Sequence, residues 1–338
     1  MAEPVVSTTN RQVVLRRRPE GLPVAEDFEV VEAPMYELDE DEALVATTHL
    51  SIDATIRTWI SDARSYFPPV ELGEVVRCSG VGAVVASRCA TLPVGTVLTT
   101  LNGWQTHCVV RDDIFVTKVE GDTPPIKVLS VFGGTGMAAY HGLVDIGRPE
   151  PGQTVVVSGA AGATGSLVGQ IAEILGCRAV GVAGTDDKCR WVVSELGFDA
   201  CVNHRSDTFV QDLRAATPDR IHVYFDNVGG RVLDAALGRL AMGARVVLCG
   251  AISVYNDEHR PPGPANYLEL ITARGRMEGF NTFDYWGRFD DTMAQLRTWV
   301  TEGRIVTHET VVEGLERCPD ALAMLFAGDN LGKLVVQL

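Results

Sequence analysis

The sequence predicts an α/β protein in two parts, a β-rich, barrel-like region followed by a doubly wound parallel sheet. Three observations predict it. Residues 1–124 carry short β-branched runs separated by turn residues. Beyond Asp122-Thr123-Pro124-Pro125 the rhythm changes, and strands alternate with helix-length amphipathic segments. A glycine-rich string, Gly159 to Gly165, joins one such strand to the helix after it. The length of 338 residues also suits two domains.

The elements follow in order. Val13-Val14-Leu15, Phe28 to Val31 and Ala43 to Thr47 read as strands, punctuated by Pro19-Glu20-Gly21, Pro34 and Asp39-Glu40-Asp41. Gly80 to Ala86, Thr96 to Leu98 and Thr106 to Val110 continue the series. In the second region Thr154 to Gly159 is a strand and Gly165 to Leu175 a helix. Arg178 to Ala183 is the next strand, and a helix from Asp187 to Leu196 ends at Gly197. Ala200 to Val202, a helix from Thr208 to Ala216, the strand His222 to Asp226, a helix from Val232 to Leu240 and the strand Ala244 to Cys249 complete a βαβαβ order. The strands are almost continuously apolar, as expected of a sheet covered on both faces. Phe289 to Glu302 is helical, and Val306 to Leu338 returns to strand, helix, strand.

Composition narrows the function. Hydrophobic residues are 46% and charged residues 22%, ordinary for a globular chain and far from disorder. The formal charge of −15 argues against nucleic acid or an anionic membrane as partner. The eight cysteines include no C-x-x-C pair and read as reduced packing residues. Met1 to Gln12 has no apolar core of signal-peptide length, so a cytoplasmic protein is expected. Pro151 to Ala172 is uncharged but contains five glycines and several polar residues, which disfavours a membrane span.

The chemistry-bearing pattern is Gly159-Ala160-Ala161-Gly162-Ala163-Thr164-Gly165. Glycine allows a sharp turn and close approach to a pyrophosphate, and the helix start offers free N–H groups to the anion. An ordinary tight turn explains an isolated string equally well. Strand before, helix after and a second strand on schedule favour dinucleotide binding. At the end of that second strand an NAD site usually has an acid. Here Gly184-Thr185 stands there, followed by Asp186, Asp187 and Lys188, a hydroxyl and a cation that suit a 2′-phosphate. Lys188 also reads as a solvated helix residue, and the two aspartates as acids facing the helix dipole. Zinc-type ligand clusters, G-x-S-x-G, a phosphate loop and Tyr-x-x-x-Lys are all missing, and the seven histidines are scattered. The residues thus indicate hydride chemistry from a nicotinamide, without a metal.

The chain resembles the zinc-independent medium-chain dehydrogenase/reductases of the prostaglandin reductase, leukotriene 12-hydroxydehydrogenase and alkenal double-bond reductase branch. The matching strings run over nearly the whole length. They include Arg18 to Pro23, Leu50-Ser51-Ile52-Asp53, Gly103-Trp104-Gln105, Ala139 to Leu143, Gly159 to Gly165, Tyr224 to Gly230, Cys249 to Ser253, Tyr255-Asn256 and Gly328 to Lys333. The resemblance implies a GroES-like β-barrel-type catalytic domain, residues 1–124 and 304–338, and a Rossmann NADP-binding domain, residues 125–303. It implies NADPH as cofactor, with Gly162, Ala163, Thr164 and Gly165 on the pyrophosphate, and Thr185, Lys188 and His204 near the 2′-phosphate. Asn227, Cys249, Ala251, Ile252, Ser253, Phe280, Asn281, Thr282 and Asn330 would line the ribose and nicotinamide. Tyr255 would be catalytic, as donor to an enolate oxygen; it also reads as packing on the cofactor loop. The implied reaction is reduction of the carbon-carbon double bond of an α,β-unsaturated ketone or aldehyde, without metal. The implied assembly is a homodimer paired along Arg276 to Phe280.

The chain departs from the family's pattern at His204, where a tyrosine is usual, and at Asp53-Ala54-Thr55-Ile56-Arg57, where the family has Asp-Pro-Tyr-Met-Arg. Two enzymic alternatives stand beside this reading, a quinone reductase and an NADP-dependent alcohol dehydrogenase. A non-catalytic NADPH-binding sensor is the alternative of another class.

Overall fold

The computed structural model describes residues 8–257, 259 and 262–338, so Met1–Ser7, the first part of the Met1 to Gln12 stretch on which the expectation of no signal peptide rests, lies outside the described residues. The strands are β1 (Thr9–Leu15), β2 (Phe28–Pro34), β3 (Ala43–Ile52), β4 (Gly80–Ser87), β5 (Val97–Thr100), β6 (His107–Val110) and β7 (Thr117–Lys118). After them come β8 (Thr154–Ser158), β9 (Arg178–Ala183), β10 (Ala200–Asn203), β11 (Ile221–Asp226), β12 (Leu240–Leu248), β13 (Arg276–Gly279), β14 (Glu309–Glu313) and β15 (Lys333–Gln337). The chain divides into two compact units. Met1–Leu129, Thr310–Asp329 and Leu334–Leu338 form one; Ser130–Glu309 and Asn330–Lys333 form the other.

The first unit is built on a seven-stranded sheet of order β14-β15-β3-β4-β5-β7, with β6 paired to β3, and a separate β1–β2 hairpin. Strand β3 is its spine, and its two ends are buried, Ala43 to Val45 and Leu50 to Ile52. Trp104 is fully buried beside Phe28, ring centroids 5.2 Å apart. The buried Asn10 side chain is satisfied by Gln105 Oε1 and the His107 carbonyl, both at 3.0 Å, as a buried amide requires. Arg57 ties the departing string Asp53 to Arg57 to the matching string Arg18 to Pro23. Its guanidinium is buried and donates to the Pro19 carbonyl at 3.1 Å and to the Gly21 carbonyl at 3.1 and 3.2 Å.

The second unit holds a six-stranded parallel sheet of order β10-β9-β8-β11-β12-β13. Counted within the sheet, this is the doubly wound 3-2-1-4-5-6 order, whose reversal lies between β8 and β11. The side-chain period of two assigns alternate strand residues to opposite cores. Val155, Val157, Val223 and Phe225 pack with Leu167, Val168 and Ile171 of the helix Ala163–Ile174. Val156, Val180, Val182 and Tyr224 pack with Phe209, Leu213, Val232 and Leu237 on the other face. Every residue of β8 is therefore buried, and each valine contributes about 1.5–3 kcal/mol.

Three elements differ from the sequence expectation. The helix expected over Val232 to Leu240 is Gly230–Leu237, and β12 starts at Leu240 instead of Ala244. Leu240 pairs with Ile221, and the register shifts before Arg245 pairs with Val223, a bulge that keeps the earlier residues in the strand. Gly134–His141, to which the sequence patterns above assign no element, is a helix, because its buried run Met137-Ala138-Ala139 outweighs glycine's poor propensity.

Candidate active site

Loops at the carboxyl ends of β8, β9, β11 and β12 meet where the strand order reverses, the usual ligand position in open α/β sheets. Gly159 turns the chain out of β8 with φ +63°. Gly162, extended, is the N-cap of the helix Ala163–Ile174 and offers its first turn no side-chain acceptor. A Cβ on Gly165 would run into the carbonyl of Gly159 and lie 3.0 Å from the Ala160 Cα, so position 165 is open only to glycine. The return segment lies alongside: the Gly332 N–H donates to the Ala161 carbonyl at 2.8 Å.

At the end of β9, Thr185 caps the helix Asp186–Leu196, its hydroxyl accepting from the Lys188 N–H at 3.2 Å. The Lys188 ammonium donates to the Asn330 carbonyl at 2.7 Å, which brings two predicted residues from distant sequence together. The Asn330 side chain is buried and donates to the Gly332 carbonyl at 3.0 Å. His204 and Arg205 flank Gly184, within about 4 Å of a Cβ placed there. Burial, then the charges of Arg205 and Arg231, lower the His204 pKa, so the ring is neutral at pH 7. Asp186 Oδ1 accepts from Asn203 Nδ2 at 2.8 Å.

Asp226 organises the third and fourth loops, a role that sequence reasoning missed. The residue is 1% exposed, and its Oδ1 accepts from Ser158 Oγ at 2.9 Å and Tyr224 Oη at 2.8 Å. It also accepts from the N–H groups of Val228 at 3.1 Å and Gly229 at 3.0 Å. The Asp226 carbonyl takes the N–H groups of Cys249 and Gly250 at 2.9 and 3.0 Å. Ser158 Oγ in turn accepts the Asn227 N–H at 2.8 Å, and Asn227 Nδ2 donates to the Ser158 carbonyl at 2.7 Å. One residue thus ties β8, the 227–230 loop and the 249–255 loop together. Burial raises the pKa of Asp226 against the pull of these donors. The string Tyr224-Phe225-Asp226-Asn227 carried the signal, an acid closing an otherwise apolar strand.

On the 249–255 loop, burial pushes the Cys249 thiol up to about 12, so it remains protonated. Ser253 Oγ donates to the Val228 carbonyl at 2.6 Å, and the Ile252 N–H to the Asn227 carbonyl at 3.2 Å. Ala251 gives its N–H to the Tyr255 hydroxyl oxygen at 3.0 Å. Burial raises the Tyr255 pKa above its ordinary value, so the phenol keeps a proton to donate. Phe280 stands edge-on to Phe225, centroids 6.5 Å apart. Asn281 Oδ1 accepts from the Phe283 N–H at 3.0 Å and caps the turn Thr282–Arg288. His141, fully buried between Asp145 at 2.5 Å and Thr292 at 2.9 Å and stacked on Tyr285, is a hydrogen-bonded core residue. In the first unit, the Thr55 and Tyr66 hydroxyls are 2.6 Å apart, so a phenol stands beside the position where the family carries its tyrosine.

The arrangement can seat an anion at the helix start, a second anion beside Lys188, and a planar group along the 249–255 loop. Residues 11–119 match the family described as N-terminal domain of oxidoreductase, and residues 163–298 match that described as zinc-binding dehydrogenase. The NADPH-dependent curcumin reductase of Escherichia coli (strain K12) is 39% identical, over 97% of each chain. The 2-alkenal reductase (NADP(+)-dependent) of Nicotiana tabacum is 35% identical, over 100% of this chain and 99% of its own. The chain belongs to the zinc-independent branch of the medium-chain dehydrogenase/reductases. Among solved structures, CurA in complex with NADPH from Vibrio vulnificus is 40% identical, with a TM-score of 0.92 over 97% of this chain and 98% of that one. Among the described residues no group of three or more His, Cys, Asp or Glu could hold a metal ion, and no helix is long and apolar enough to cross a membrane. Among the described residues no disulfide joins any of the eight cysteines.

Proposed function

We propose that the protein is an NADP-dependent oxidoreductase that reduces the carbon-carbon double bond of α,β-unsaturated ketones or aldehydes without a metal. The observation that carries the proposal is the cradle pinned by Asp226 beside the uncapped helix start. Near end-to-end likeness to a curcumin reductase and a 2-alkenal reductase supports the substrate class.

NADPH fits these residues by their chemistry. N–H groups at the helix start lack a side-chain acceptor, Gly165 leaves no Cβ in the way, and Lys188, His204 and Arg205 gather where an NAD site would hold an acid. When bound, NADPH supplies the hydride for the β-carbon of the substrate. Gly162 to Gly165 hold the diphosphate through the N–H groups of Ala163 to Gly165, since the Gly162 N–H is given to the Gly159 carbonyl at 2.9 Å. Lys188 and His204, with Thr185, hold the 2′-phosphate. Asn227, Cys249, Ala251, Ile252, Ser253, Phe280, Asn281, Thr282 and Asn330 line the ribose and nicotinamide. Tyr255 donates its phenolic hydrogen toward the oxygen that gains charge, while the Ala251 N–H holds the ring in place. The neutral Cys249 thiol adds no negative charge beside that oxygen.

Residues 1–124 and 304–338 form the catalytic domain and residues 125–303 the NADP-binding domain in this reading. The protein acts in the cytoplasm on small molecules, with neither nucleic acid nor membrane as partner. It works as a homodimer. Strand β13 is the open edge of the parallel sheet, and Tyr267, Leu268, Ile271 and Met277 are exposed near it, an edge that a second copy would cover.

The test is incubation with NADPH and a panel of enones and alkenals, followed by product analysis. A saturated ketone or aldehyde is expected; an allylic alcohol, or no turnover with any member, overturns the proposal.

A further inference from the structure

Arg148, Arg245, Arg274 and Arg276 line one cleft of about 320 Å³ that contains a single acid, Glu150. The cleft lies toward the amino ends of the parallel strands: Arg276 opens β13, pairs with Arg245 of β12, and Arg148 and Glu150 precede β8. It is thus separated by the sheet from the loops of the candidate active site. A net positive lining stands out in a chain of charge −15.

The guanidinium groups are aimed by neutral acceptors. Arg245 donates to the Gly147 carbonyl at 2.7 Å, the Arg148 carbonyl at 2.6 Å and Gln153 Oε1 at 2.8 Å. Arg276 donates to the Ile146 carbonyl at 2.8 Å, Arg148 to the Asp145 carbonyl at 2.7 Å, and Arg274 to the Met242 sulfur at 3.0 Å. Among the described residues only Arg276 has a carboxylate at ion-pair distance, Glu278 at 3.7 Å, while the charge of Glu150 acts on Arg245 from farther off. Glu150 is turned to Gln153, whose Nε2 donates to it at 3.1 Å. Among the described residues each arginine therefore keeps terminal N–H donors unused.

Backbone conformation adds an independent sign. Arg148 and Arg274 lie in the left-handed region, φ +44° and +49°, at the ends of the helical stretches Gly142–Gly147 and Glu269–Ala273. Glycine is the usual residue at such a cap. A cation near a helix end is ordinary. Capping does not require two such arginines to share a cleft with two more from the strands.

We propose that this cleft binds a small phosphate-bearing anion. Arginine's planar fork matches phosphate oxygens bidentately, and the volume exceeds what one phosphate fills. The probes are inorganic phosphate and inorganic pyrophosphate, titrated calorimetrically into the full-length protein with saturating NADP+. One pyrophosphate per chain is expected, bound more tightly than phosphate. Arg274→Gln and Arg148→Gln should each weaken it at least about tenfold, while Arg214→Gln, a surface control, leaves it unchanged. On the unaltered protein, pyrophosphate should protect Arg148 and Arg274 from phenylglyoxal, read by mass spectrometry. No heat at millimolar pyrophosphate, heat that vanishes when NADP+ is added, equal weakening by Arg214→Gln, or unprotected arginines would overturn the proposal. A cleft closed by acids of a second copy gives the first of these results.

Discussion

At the carboxyl end of the parallel sheet one buried carboxylate, Asp226, collects four donors and fixes the loops of the candidate active site. At the amino end the arrangement is inverted: backbone carbonyls collect guanidinium groups, and the charge left over faces solvent. The first end spends its polar groups on internal order, leaving recognition to N–H groups at a helix start and to Lys188. The second keeps its charged donors for whatever enters. The difference teaches that a cradle for a large coenzyme is made by positioning loops, whereas a small anion needs only aimed cations.

Asp226→Ala should break the first end most severely. It leaves four buried donors without their acceptor, at about 1–3 kcal/mol each, and the melting temperature should fall by about 10 °C or more. Asp226→Asn keeps the acceptor oxygen and sharpens the comparison. Burial raises the carboxyl's pKa in the folded state, so its stabilisation is complete below the unfolded carboxyl range near ~4 and is lost as pH rises through the folded value. The stability of wild type relative to the Asn variant should therefore decline from pH 4 to pH 8 in thermal melts; a rise would contradict this account.

Tyr255→Phe removes a donor aimed at developing charge, and kcat should fall about a hundredfold with KM for the enone changed little. An equal rise in KM would assign the residue to loop packing. The smallest effect concerns His204, whose pKa is lowered by burial and by two arginines. A 2′-phosphate favours the protonated ring, so NADPH binding should strengthen, by less than about tenfold, as pH falls from 8 to 6. His204→Gln should flatten that slope.

Much of the coenzyme end was legible in the sequence, because its signals are local. Gly159 to Gly165 sits between a strand and a helix, and Lys188 follows the next strand at a fixed interval. The class of fold was legible for the same reason, since period-two and helical patterns repeat along the chain. The Asp226 network was not, because Ser158 stands 68 residues away and only the parallel sheet brings the two together. Nor was the contact of Lys188 with Asn330, 142 residues on. The Thr185 and Asn281 side chains are occupied with helix caps, a use that composition does not reveal. The arginine cleft was invisible for the opposite reason: Arg148, Arg245, Arg274 and Arg276 belong to no motif, and the chain's overall acidity hides them.

The central claim is that the helix start after β8 and the cation after β9 together hold NADPH. Calorimetric binding of NADPH and NADH to wild type and Lys188→Ala tests it most directly. The account predicts tight NADPH binding to wild type, a loss of about 10–100-fold in Lys188→Ala, and little change for NADH. Equal losses for both coenzymes, or none, would contradict it.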